Sequence, residues 1–306
     1  MRVIVVGLGV QGNKRKYFSG KDFIASVDPL NINANYRTIE EVPLDSYDAV
    51  LACTPDEPKY KIIKYCLENK KHVLVEKPLW AIDDKQLEEL ELLAIKNKVV
   101  CYTAYNHRFE PHFVKMRSLI KSEVLGEIYS CRMFYGNGTA RLVRESNWRD
   151  KDAGVLSDLG SHLLDTCRFW FGNKLDSFNL NSFHRFENLA PDHVVISSEE
   201  TKPRISLEMT LCMWKNHFTC DILAERGTAH IESLCKWGPS IFTHRNRVLP
   251  SGKPNEYIET LVQSDPTWEA EYNYFKELIN KKIPTNLTTD LWLQKNLRLM
   301  GLNINK

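Results

Sequence analysis

Over roughly the first hundred residues, short and nearly continuous apolar runs alternate with stretches of helical spacing. Residues 2–6, 23–27, 49–53, 72–75 and 99–103 read as strands apolar on both faces, the pattern of strands inside a parallel sheet. Between them, residues 58–69 put Ile62, Ile63, Cys66 and Leu67 on one helical face. Residues 83–98 keep Leu87, Leu90 and Ala94 in period behind a capping Asp83.

Past about residue 108 the rhythm changes to longer strands, at 127–135, 194–198, 204–213, 217–224 and 228–232. In 204–213, Ile205, Leu207, Met209, Leu211 and Met213 alternate with Ser206, Glu208 and Thr210, which predicts a sheet covered on one face. A helix is expected at 157–171, closed by Gly172, and another opens at Asp265-Pro266 and turns Trp268, Tyr272, Phe275 and Ile279 inward. The pattern predicts an α/β domain with a doubly wound parallel sheet (residues 1–110), followed by an α+β domain with a large open, mainly antiparallel or mixed sheet (residues 111–306). A length of 306 residues suits two domains.

Composition adds mostly exclusions. With 43% hydrophobic and 26% charged residues, the chain has the balance of a globular protein. Its formal charge of +2, without any basic stripe interleaved with aromatics, argues against nucleic acid as a partner. No stretch approaches the about 18 consecutive apolar residues of a membrane span, and the N-terminal residues carry no secretion pattern, so no membrane partner and a cytoplasmic location are expected. Eight cysteines without any C-x-x-C pair, most of them in apolar runs, read as reduced packed thiols rather than disulfides or metal ligands.

Candidate chemistry starts at Gly7-Leu8-Gly9-Val10-Gln11-Gly12, directly after the first strand and opening a helix. There glycines permit a tight turn and let backbone N–H groups approach a pyrophosphate at the positive end of the helix. Asp28, ending the second strand, is placed to accept from a ribose hydroxyl and to repel a 2′-phosphate, which favours NAD over NADP. Lys14-Arg15-Lys16 reads as a solvated outer face of a short helix. A tight turn without a ligand is the plain alternative, and a methyltransferase using S-adenosylmethionine shares the loop-and-acid pattern.

The other strand ends carry Thr54-Pro55, Glu76-Lys77-Pro78 and Tyr105-Asn106-His107-Arg108. A lysine right after Val73-Leu74-Val75 is costly inside the sheet and easier to explain at its rim. Asp158, His162 and Asp165 lie at i, i+4 and i+7 of an otherwise apolar helix, so one face carries an imidazole and two carboxylates. Gly160 keeps that face low for the approach of a backbone or ligand. The plainer readings are a helix-dipole role for Asp158 and a solvated Asp165.

Taken together, Gly7-x-Gly9-x-x-Gly12, Cys53-Thr54-Pro55, Glu76-Lys77-Pro78, Asn106-x-Arg108-Phe109-x-Pro111, Trp148-Arg149 and Asp158-x-Gly160-x-His162-x-x-Asp165 resemble the glucose-fructose oxidoreductase, inositol dehydrogenase and rhizopine catabolism (Gfo/Idh/MocA) family. The resemblance is good over residues 1–110 and 148–172, and it sets the methyltransferase aside. It implies that Lys77 reaches the reacting hydroxyl, with His162 as acid/base and Asp158 beside it. Gly7, Gly9, Val10, Gln11, Gly12, Asp28, Thr54, Pro55, Glu76, Lys77 and Asn106 are then expected to bind cofactor, and Lys77, Arg108, Trp148, Arg149, Asp158 and His162 to meet substrate. The resemblance further implies a cis Lys77–Pro78 bond and a homodimer or homotetramer formed through the C-terminal sheet. Asp56 and Lys59 depart from the family's usual Asn and His.

The expected activity is NAD-dependent oxidation of a secondary hydroxyl on a sugar, cyclitol or nucleotide-linked sugar by hydride transfer to nicotinamide, without a metal. Two alternatives stay open: a non-catalytic NAD-binding sensor or structural protein, and a redox-neutral NAD-assisted glycosidase of the same fold.

Overall fold

A computed structural model describes residues 1–79, 81–146, 149–175, 177–198 and 202–304, and in it the early apolar runs form five strands. These are β1 (Val3–Val6), β2 (Phe23–Val27), β3 (Ala49–Ala52), β4 (His72–Glu76) and β5 (Cys101–Ala104). All are parallel, in the order β2-β1-β3-β4-β5. Every residue of β1, β3 and β5 is buried, as a sheet covered on both faces requires.

One face is covered by α2 (Asp56–Glu68) and α3 (Asp84–Asn97), whose Ile63, Cys66, Leu67, Leu87, Leu90 and Ala94 pack on Ile4, Val6, Val50, Val73 and Val75. Asp83 caps α3, taking the Gln86 N–H while the Gln86 side chain accepts from the Asp83 N–H, the reciprocal pair that satisfies a helix start. Ahead of them in the chain, α1 (Val10–Ser19) follows the glycine loop.

The second sheet is built from β6 (Ile128–Gly136), β7 (Asn179–His184), β8 (His193–Ser198), β9 (Arg204–Thr210), β10 (His217–Ala224), β11 (Gly227–Glu232), β12 (Ser240–Asn246) and β13 (Glu256–Leu261). Its order is β13-β12-β11-β10-β6-β9-β8-β7, antiparallel throughout except for β6 beside β9, so it is mixed. The expected alternation holds in β9, where Ile205, Leu207 and Met209 are buried. Ser240–Asn246, Glu256–Leu261 and Asn179–His184 are strands that the sequence pattern did not mark, because their faces alternate less cleanly between apolar and polar residues. Helices α4 (Pro111–Lys121), α5 (Ala140–Arg144) and α6 (Ser161–Phe171) belong with this sheet, and a π-helical turn, Leu156–Gly160, precedes α6. Gly160 is needed for a close approach: a Cβ there would stand 2.9 Å from the sulfur of the Met209 side chain.

Two helices end the chain, α7 (Thr267–Asn280) and α8 (Thr288–Ile304). By contact the chain divides into Met1–Asn106 with Thr267–Lys295, and His107–Pro266 with Asn296–Lys306. The single division expected at residue 110 therefore takes a different form. The reason is physical: the face of the parallel sheet formed by Val3, Val5, Ala49, Leu51 and Leu74 needs a cover, and Tyr272 and Phe275 of α7 supply it. All eight cysteines are free thiols, and no described helix is long and apolar enough to cross a membrane.

Candidate functional site

In the first unit, the strand order places its switch between β1 and β3, and the loops after those two strands flank it. Gly7 has φ +90° and lies so close to the β3 end that a Cβ there would be 2.6 Å from the Cys53 carbonyl oxygen. At Gly12 a Cβ would meet the Gly7 carbonyl oxygen at 1.8 Å, so both positions require glycine for packing. Gly9 differs: nothing lies within 4 Å of its would-be Cβ. It is also the N-cap of α1, and neither a side-chain cap nor an acidic first turn satisfies that helix start. Val10 and Gln11 are exposed beside it. An open, uncapped helix N-terminus attracts an anion.

The carboxylate of Asp28 accepts from the N–H of Leu8 at 2.7 Å with one oxygen and from those of Leu30 and Asn31, both at 2.9 Å, with the other. Burial raises its pKa, but these three bonds and Arg37 outweigh it and hold the pKa below the usual aspartate value. The residue expected to meet a ribose thus also braces the glycine loop. Across the switch, the buried Thr54 hydroxyl has no hydrogen-bond partner among the described residues, and Pro55 is exposed. An open helix end and an orphaned hydroxyl on opposite sides of the switch fit a dinucleotide.

Lys77 is half-buried immediately after β4, and its bond to Pro78 is cis. Two neighbours fix this strand end. Glu76 accepts from Arg15 Nε at 2.7 Å, while Arg15 Nη2 reaches Glu271 at 2.6 Å. Lys14 and Lys16 are exposed as expected, but Arg15 is only 2% exposed, which corrects the solvated reading of the run at that position. The buried positions of α1 are Gly12, Arg15 and Ser19, a helical stripe that the charge run conceals. Lys59, 3% exposed, donates to Asp56 at 2.7 Å and to the Pro78 carbonyl at 2.9 Å; burial lowers its pKa against the pull of Asp56. Asn106 donates to Thr267 Oγ1 at 2.8 Å, so its amide is held by the start of α7.

In the second unit, the π turn followed by α6 carries Asp158, His162 and Asp165. Asp158 accepts from Arg149 at 3.0 Å. Asp165 is 1% exposed and bound by Arg108 through Nε at 2.9 Å and Nη2 at 2.5 Å, so the solvated reading of Asp165 is corrected, and Arg108 braces α6 from the 3-10 turn Asn106–Phe109. Burial raises the Asp165 pKa despite the guanidinium. The His162 ring, 9% exposed, lies parallel to His107, with 4.0 Å between centroids and 19° between planes. His107 was not singled out by the sequence; its only signal was its place between Asn106 and Arg108. Trp148 lies outside the described residues.

Comparison with known proteins bears on both units. Residues 1–105 match the family described as "Oxidoreductase family, NAD-binding Rossmann fold", and residues 113–230 match the "GFO/IDH/MocA C-terminal domain". The scyllo-inositol 2-dehydrogenase (NADP(+)) of Bacillus subtilis is 29% identical over 44% of this chain and 38% of its own length. The myo-inositol 2-dehydrogenase of Thermotoga maritima is 25% identical over 49% of this chain and 44% of its own length. The chain thus spans less than half the length of these curated relatives. A levoglucosan dehydrogenase solved with NADH has the same fold, with TM-score 0.83 at 14% identity over 99% of this chain and 97% of that one. With both of its parts matched in their own order, the chain belongs to the Gfo/Idh/MocA family of oxidoreductases.

Proposed function

We propose that the chain is a nicotinamide-dependent dehydrogenase that oxidises a secondary hydroxyl of a sugar, cyclitol or nucleotide-linked sugar. The observation that carries this reading is the carboxyl edge of the parallel sheet, where the open N-terminus of α1 at Gly9, the orphaned Thr54 hydroxyl and Lys77 end three neighbouring strands. Gly7, Gly9, Val10, Gln11, Gly12, Asp28, Thr54, Pro55 and Asn106 would hold the cofactor. The Asp28 carboxylate supports NAD over NADP, and the Bacillus subtilis relative, named for NADP, makes a comparison of both cofactors part of the test. When bound, the nicotinamide supplies the hydride acceptor.

The protein's own part is charge and proton management. Lys77, as an ammonium, stabilises negative charge developing on the substrate oxygen, an effect worth about 10²–10³ in rate for one preorganised donor. His162 takes the hydroxyl proton, with a typical contribution of about 10²–10⁴. Asp158, paired with Arg149, supports substrate and imidazole. Inositols, glucose 6-phosphate and nucleotide sugars, each offered with NAD or NADP, should include a substrate that produces absorbance at 340 nm. Lys77→Ala and His162→Ala should each lower turnover by at least about 10² while NADH fluorescence titrations stay within about threefold of wild type. Wild-type turnover in either variant removes the role given to that residue. Cofactor binding without turnover across the panel assigns a sensor instead.

A further inference from the structure

A second lysine stands close to the paired imidazoles of the second unit, in a part of the chain that no motif marked. Lys236 lies in the 3-10 turn Cys235–Trp237, just after β11. Its Nζ is 3.3 Å from His107 Nε2 and 3.4 Å from the Tyr135 hydroxyl, and sits 4.7 Å from the centre of the Trp237 ring. His107 is 2% exposed, and its ring is the one stacked on His162. The other groups facing this cluster come from separate elements. Tyr135 of β6 packs on both imidazoles, Phe113 of α4 meets the His107 ring edge-on, and Glu110, Asp265 and Asp158 act on Lys236 by charge. Burial holds the Lys236 pKa below the usual lysine value, against the opposing pull of those three carboxylates.

An ammonium has three protons to give and no lone pair to receive one. A bond between Lys236 and His107 Nε2 therefore needs the lone pair on Nε2 and leaves the His107 proton on Nδ1. Protonating His107 would break that bond and set a cation beside Lys236 and against the ring that has to accept the substrate proton. We propose that Lys236 is a positioning residue for proton transfer at His162: it locks His107 as the neutral Nδ1–H imidazole, and this fixed, uncharged ring sets the plane of His162 and leaves His162 free to become the cation. The role rests on the acid/base reading of His162 given above; the lock on His107 does not.

The test uses the full chain saturated with NADH and follows the histidine ring nitrogens and C–H groups by NMR from pH 5 to 9, in wild type, Lys236→Met and Lys236→Arg. Wild type should show His107 in one neutral tautomer with the proton on Nδ1, and Lys236→Arg, which still donates, should preserve it. In Lys236→Met the His107 tautomers should mix and its titration midpoint should rise by at least one pH unit. With a panel substrate, Lys236→Met should lower kcat at least tenfold with KM changed less than threefold and move the acid limb of the kcat profile to higher pH, while the arginine variant returns kcat to within threefold. A wild-type His107 that carries its proton on Nε2 or titrates as an ordinary imidazole overturns the proposal without any variant, as does a His107 unchanged in Lys236→Met. If the lock is seen but His162→Ala keeps full turnover, the acid/base reading falls and takes the positioning role with it.

Discussion

Replacing Arg15 by Met removes one guanidinium and tests how the first unit is held together. The side chain is 2% exposed, holds Glu76 and Glu271 at 2.7 and 2.6 Å, and lies 4.4 Å from the centre of the Trp268 ring. Glu271 is fully buried, whereas the Glu76 side chain keeps 14% of its exposure. The two carboxylates hold the Arg15 pKa above its ordinary value although burial opposes them, so the group stays cationic throughout the accessible pH range. Removing one member of a buried ion pair costs about 3–5 kcal/mol, because the remaining charge keeps its desolvation penalty. At about 2–4 °C per kcal/mol, the melting temperature should fall by about 6–20 °C. Lys14→Met, on the exposed side of the same helix, should cost less than about 1 kcal/mol. Urea unfolding followed by tryptophan fluorescence, with thermal melts, measures both. Arg15→Met combined with Glu271→Leu should recover much of the loss, since replacing a buried pair by apolar groups is often neutral. A single variant within about 1 kcal/mol of wild type, or a double variant less stable than the single, refutes the reasoning.

The glycine loop separates packing from binding. Gly12→Ala, with its Cβ 1.8 Å from the Gly7 carbonyl oxygen, should lower stability by about 2 kcal/mol or more. Gly9→Ala should melt as wild type yet bind NADH at least about tenfold more weakly, because its methyl enters open space at the uncapped start of α1. Asp28→Asn keeps one acceptor oxygen for Leu30 and Asn31 but turns an amide toward the Leu8 N–H, a loss of about 1–3 kcal/mol. The folded pKa of Asp28 lies below its unfolded value, so its contribution is complete above about pH 4 and fades as pH falls through the folded pKa. Wild-type and Asp28→Asn stabilities should therefore converge below about pH 4. A gap unchanged down to pH 2 would contradict this account of the loop.

The parallel sheet was legible because its strands are buried on both faces, so near-continuous runs such as Val3-Ile4-Val5-Val6 mark them without any knowledge of their partners. The capping of α3 by Asp83 is a local effect and was legible for the same reason. What escaped depends on distant residues. Arg15 looks like one of three solvated charges until Glu76 and Glu271 are brought to it, and the helix Thr267–Asn280 was grouped with the second half because nothing local reveals which sheet it covers. The face shared by Asp158, His162 and Asp165 was inferred for an unbroken α-helix. The π turn Leu156–Gly160 changes that spacing, and the two acids answer to different arginines, Arg149 and Arg108. Likewise, Lys236 has no motif, and only the turn after β11 brings it to His107.

The return of α7 to the first sheet has a consequence for synthesis. Arg15 and Glu271 are separated by 256 positions. At about 5–20 residues per second, β1 and α1 leave the ribosome about 13–50 s before their ion-pair partner. From the time Leu74 is made, the apolar face of Val3, Val5, Leu51 and Leu74 waits through the rest of that interval for Tyr272 and Phe275 to cover it. Until α7 is made, the first unit therefore cannot close that side of its core, and a chain stopped before Thr267 would leave this face of the parallel sheet uncovered.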